Sequence, residues 1–113
     1  MRIGSLVRLK IPCLNSKIDD IGIVFHIYDA DNSEDKVYMI IFENGNYDGF
    51  SVRDAKEFTR YIGQSDIIDG YTFTSAIKLN MDYEAGVFAY DLLKAEVITL
   101  ERTHPLVDPI LNI

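Results

Sequence analysis

Val37-Tyr38-Met39-Ile40-Ile41-Phe42-Glu43, then Asn44-Gly45, then Asn46-Tyr47-Asp48-Gly49-Phe50-Ser51 reads as two strands joined by a tight turn. The first run is β-branched and aromatic, the composition of a pleated, buried surface. Asn-Gly tolerates positive φ at both central positions, which is what a type I′ hairpin turn demands. Within the returning strand Tyr47 and Gly49 share one face, and Asp48 and Phe50 share the other. If Phe50 points inward, Asp48 is carried with it. A carboxylate there needs hydrogen-bond donors, and the following backbone amides can supply them if Gly49 marks a bulge.

Outward from this hairpin, Ile21 to Tyr28 alternates with period two. Ile21, Ile23, Phe25 and Ile27 fall on one face, with Gly22, Val24, His26 and Tyr28 on the other. Ser5 to Ile11 is a shorter, edge-like strand that Pro12 ends. On the other side, Ser51 and Asp54 form a capping pair for a helix over 52–61, with Val52, Ala55, Phe58 and Ile62 at helical spacing and Gly63 at its left-handed end. Gln64 to Gly70 reads as a connector, and Tyr71 to Leu79 and Ala95 to Glu101 as further strands. Residues 82–94 fit either helix or strand. Pro105 and Pro109 break an apolar tail.

The chain is therefore expected to be mainly β with one or two short helices. Consecutive hairpins of short antiparallel strands close most easily into a small barrel. Arg2-Ile3-Gly4-Ser5-Leu6-Val7-Arg8-Leu9, Gly22-Ile23-Val24 and the Asn-Gly turn resemble SH3-like small barrels, the Gly22-Ile23-Val24 strand being similar to the KOW-type version. The resemblance spans roughly residues 3–80. It implies an SH3-like antiparallel barrel over 1–94 carrying a helical insertion, with 95–113 as an extension packed on the body or on a second copy. Phe42 to Ser51, with Phe58 and Phe73-Thr74 after it, also resembles small bacterial and phage proteins with an Asn-Gly-x-Tyr-Asp-Gly-Phe-Ser signature. That likeness implies a prokaryotic or phage origin and no mechanism.

Composition narrows the function. Of the 113 residues 48% are hydrophobic and 26% charged, too apolar a mixture for a disordered chain. No run approaches the ~20 apolar residues of a membrane span, and the N-terminus lacks the apolar core of a signal peptide. The single cysteine, Cys13, forms no internal disulfide, which fits a reducing, cytoplasmic compartment. Net charge is −7. Residues 1–18 carry Arg2, Arg8, Lys10 and Lys17 with no acid, and all eighteen acids lie beyond them. So acidic a surface repels phosphate backbones and favours basic partners.

No catalytic, cofactor or metal motif survives inspection. Cys13 has no histidine placed beside it in sequence. His26 stands alone mid-strand, and His104 precedes a proline. The acidic loop Asp29, Asp31, Ser33, Glu34, Asp35 puts Glu34 and Ile40 where a calcium loop of the EF-hand kind needs glycine and glutamate. The expectation is a non-catalytic domain that recognises a protein partner through an acidic, tyrosine-bearing face of Tyr28, Tyr38, Tyr47 and Asp48. An immunity-type inhibitor of a toxin is one version of it. The alternative is a KOW-like barrel that binds nucleic acid through Arg2, Arg8, Lys10 and Lys17. A homodimer contact is expected, if anywhere, in the C-terminal extension.

Overall fold

Five strands and three helices follow one another as β1 (Ser5–Leu9), β2 (Ile21–Asp29), β3 (Lys36–Phe42), β4 (Tyr47–Ser51), α1 (Val52–Phe58), β5 (Thr59–Gln64), α2 (Ala76–Glu84) and α3 (Tyr90–Thr103). This computed structural model describes residues 1–30, 36–68, 71 and 75–103. All strand pairs are antiparallel, and the strands form one open sheet in the order β4-β3-β2-β1-β5.

Both faces of the sheet are buried, which is why its central strands read as near-continuous apolar runs. Leu6, Ile21, Ile23, Phe25, Met39 and Ile41 face α2 and α3, packing on Leu79, Phe88, Tyr90, Leu93 and Val97. Val7, Leu9, Val24, Tyr38, Ile40, Phe42 and Phe50 face the other way, toward Ala55 of α1. Phe50 meets Phe42 and Phe58 edge-on at centroid separations of 6.0 and 6.1 Å.

Several elements differ from the sequence expectation. The helix after β4 begins as predicted, with the Asp54 N–H donating to Ser51 Oγ at 3.1 Å. It stops at Phe58, not at 61, because Thr59 turns extended and closes the last turn by donating its hydroxyl to the Ala55 carbonyl at 2.6 Å. The next six residues form β5 alongside β1, so β1 lies inside the sheet and is not an edge. Gly63 serves this strand by leaving room for the Leu100 side chain, and it does not end a helix. Residues 76–79 of the expected strand 71–79 belong to α2, while 72–74 lie outside the described residues. The expected strand 95–101 is helical. Its alternation is real, but Leu93, Val97 and Leu100 also recur at helical spacing, and that stripe is the one that packs on the sheet.

The hairpin turn is also not type I′. Only Gly45 is left-handed (φ +84°), and its N–H donates to the Phe42 carbonyl at 2.9 Å, while Phe42 N–H donates to Asn46 O. This is a type I turn followed by a left-handed glycine, the three-residue hairpin loop. Asn44 is held out of the left-handed region by its side chain, which accepts from Asn46 N–H and donates to Leu14 O. Two consecutive left-handed residues occur instead at Leu14 (φ 50°) and Asn15 (φ 62°), between the bridged Cys13 and Ser16. The Leu14 carbonyl accepts from the side-chain amides of both Asn44 and Asn46, tying this bend to the hairpin.

Candidate functional site

A bulge between Val24 and His26 decides where the predicted tyrosines go. It puts Phe25 and His26 on the same side, so the alternation read from the sequence reverses beyond it. Ile27 joins the α1 face, while Tyr28, opposite Val37, points to the helical face. Tyr47 lies on the helical face as well, edge-on to Phe25 at 5.7 Å. Tyr38 is buried in the α1 face, and Asp48, opposite Ile40, projects from that face into solvent. The four residues expected to form one patch therefore divide between opposite sides of the sheet.

Each has a structural partner. Tyr28 stacks on His26 with centroids 6.0 Å apart, and its hydroxyl lies 3.5 Å from where a Gly49 side chain would begin. Its hydroxyl thus sits over Gly49. No bulge occurs at Gly49, because the β3–β4 register is unbroken. Asp48 Oδ1 accepts from Gly49 N–H at 2.7 Å, so it is solvated and hydrogen-bonded.

Two of the four basic N-terminal residues are engaged as well. Arg8 makes a bidentate contact from Nε to both Glu101 oxygens at 2.9 and 3.0 Å, with Nη2 at 2.8 Å from Oε1. Lys10 Nζ donates to Lys56 O, while Arg2 and Lys17 are exposed. Burial pushes the half-buried Cys13 thiol up, and the Asp48 carboxylate adds to this, the opposite of what a nucleophile needs. Asp29 pairs with Lys36 at 2.8 Å, and Asp31 to Asp35 and His104 lie outside the described residues. Among the described residues, no three His, Cys, Asp or Glu side chains converge as metal ligands, and no helix is long and apolar enough to cross a membrane.

A groove of about 490 Å³ lies elsewhere, at the corner where the hairpin turn meets the helices. Glu43 enters it from the start of the turn. Tyr83 and Glu84 come from the end of α2, Phe88 and Ala89 from the α2–α3 corner, and Tyr90, Asp91, Leu92 and Lys94 from α3. The geometry is fixed from several sides. A Cβ on Gly45 would stand 3.0 Å from the Tyr83 ring and 3.1 Å from Asn80 Oδ1, so α2 rests directly on the turn. The Tyr90 hydroxyl, buried, donates to the Ile21 carbonyl at 2.5 Å and anchors α3 to β2. At the corner, Val87 and Phe88 N–H both donate to the Asp82 carbonyl at 2.9 and 3.0 Å. The rings interlock edge-on, Tyr83 on Tyr90 at 5.6 Å and Phe88 on Tyr90 at 5.5 Å.

Among the described residues, three carboxylates, Glu43, Glu84 and Asp91, line the groove together with one ammonium, Lys94, whose Nζ stands a loose 3.7 Å from Glu43. Burial raises the Tyr83 phenol, with Glu43 and Asp91 adding to the rise and Lys94 opposing it. Burial also lifts Tyr90 well above its ordinary value. Both phenols are neutral at pH 7, so they act as aromatic walls and hydrogen-bonding groups, not as bases. The chemistry offered is recognition of cations by carboxylates and ring faces. A larger depression of about 710 Å³ at the start of α1 is lined, among the described residues, by Ser51, Val52, Arg53, Lys56 and Glu57, all from one short stretch of chain.

The groove was not visible in the sequence because it depends on α2 and α3 folding back over the sheet. Its available signals were the helical recurrence of Leu93, Val97 and Leu100, and Gly86 placed just past Glu84-Ala85. No family model, curated protein or solved structure matches the chain.

Proposed function

We propose that this chain is a non-catalytic binding domain that recognises a basic segment of a protein partner through the groove beside the hairpin turn. The observation that carries this reading is that Glu43, Glu84 and Asp91, from three separate elements, line one groove with the Tyr83 ring, Lys94 being the single cation among its described residues. It keeps the acidic, tyrosine-bearing character expected from composition and moves it to different residues. The net charge of −7 supports it by steering basic partners toward the surface. The cytoplasm is the compartment implied, since Cys13 is a free thiol.

An SH3-like barrel remains the fold reading we favour. The strands follow one another as a meander, and after the short helix α1 the fifth returns to pair with the first, which supports it. Binding of a lysine- and arginine-rich peptide, followed by calorimetry, tests the function. Affinity is expected at low ionic strength and falls as salt rises. E84K/D91K abolishes it. Absence of binding at low salt, or equal binding by that variant, would refute the reading.

A further inference from the structure

The largest apolar exposures of the described residues are confined to one stretch of chain. Ile77 is 71% exposed, Val87 70%, Leu92 65% and Met81 63%. Leu92 lines the acidic groove, and Val87 sits between the groove residues Gly86 and Phe88. Met81 lies three residues before Glu84, one turn back along α2, and Ile77 lies one turn further. Neighbours at that spacing share a helix face, so an apolar stripe leaves the groove and runs along the outer side of α2. The inner side is taken by Leu79, which is fully buried, and by Tyr83.

We infer that the groove and this stripe form one docking surface for a basic amphipathic helix of the partner. This rests on the function proposed above and names the form of its ligand. A helix laid along α2 presents one apolar face to Ile77, Met81 and Leu92 by ridge-into-groove packing. Cationic side chains one turn away reach Glu84 and Asp91. The complementarity is of both kinds, and it disfavours a second copy of this chain, whose net charge of −7 would oppose its own. An extended basic segment would satisfy the carboxylates and leave the stripe in water.

Three fluorescent peptides of one length separate the outcomes. One is a basic amphipathic helix, one has the same residues scrambled so that no apolar face forms, and one is an acidic helix with the same apolar face. Anisotropy is expected to rank the first at least about tenfold tighter than the scramble, with the acidic helix not binding. I77Q/M81Q, at two stripe residues outside the groove lining, removes the preference for the first over the scramble while leaving the scramble's affinity unchanged. Both side chains stand mostly in water, so the fold survives, as far-UV circular dichroism verifies. Equal binding of the first two peptides overturns this inference and leaves the acidic groove standing. No binding by any peptide removes both. Equal binding by the acidic and basic helices shows a purely apolar surface and overturns both. Sedimentation showing that the chain alone dimerises, with I77Q/M81Q abolishing the dimer, assigns the stripe to a second copy and also overturns it.

Discussion

Glu101 is expected to hold α3, and with it one wall of the groove, onto the sheet. It stands in the last turn of the helix and takes Arg8 of β1 in a bidentate contact and Arg60 of β5 at 3.1 Å. A charge-assisted hydrogen bond is worth about 1.5–3 kcal/mol when well desolvated. The Arg60 side chain is 43% exposed, against 18% for Arg8, so solvent screens the second pair to under about 1 kcal/mol. Glutamine keeps the shape and one acceptor oxygen. E101Q is therefore expected to lose about 1–2 kcal/mol, with Tm falling about 4 °C for each kcal/mol at this chain length.

The pH dependence has a definite sign. Hydrogen bonding from Arg8, then from Arg60, holds the Glu101 carboxyl below its ordinary value of 4.5 against the opposing effect of burial. A group whose folded pKa is depressed stabilises above the unfolded pKa and loses that stability as pH falls through the folded one. Urea unfolding of both proteins should show the full difference at pH 7 and a closing gap below about pH 4.5. A variant as stable as the parent at pH 7, or a gap unchanged down to the acid limit, would show that the clamp does not hold the helix.

Four further substitutions test the packing. Y90F removes the hydroxyl that donates to Ile21 O, but that carbonyl keeps a second donor in Glu43 N–H at 3.2 Å, so about 1 kcal/mol should be lost in chemical denaturation. A loss above about 3 kcal/mol would mean that the hydroxyl does more. Ser16 Oγ is buried with no partner among the described residues, so S16A should be neutral or raise stability by about 1 kcal/mol in a thermal melt. A clear fall would show that the hydroxyl is satisfied. Leu93 is fully buried between α3 and the sheet, so L93A should cost about 2–5 kcal/mol, while A95S on the exposed side should cost little. Equal effects would contradict the helical register.

The hairpin, β2 and the start of α1 were legible because their signals are local: period-two apolar runs, an Asn-Gly pair and a serine cap. What the sequence hid was decided by distant partners. Thr59 to Gln64 becomes a strand only because β1 offers it an edge. The bulge at Phe25 sends Tyr28 to the side opposite Tyr38, and nothing in the residues around His26 announces the one-residue shift. Asn44 has a free choice of backbone in isolation and loses it to the Leu14 carbonyl. Ala95 to Glu101 satisfies two periodicities at once, and only the sheet beneath it selects the helix. The groove inherits this dependence, since its walls come from segments about 40 residues apart that meet only after α2 has docked on the turn.

The most direct measurement is mapping of amide shifts on the labelled protein as the basic amphipathic peptide is added. Perturbations centred on residues 43–46 and 81–94, and lost in E84K/D91K, are the predicted result. Perturbations centred on Arg2 to Lys17, on the α1 face around Tyr38 and Asp48, or nowhere would contradict it.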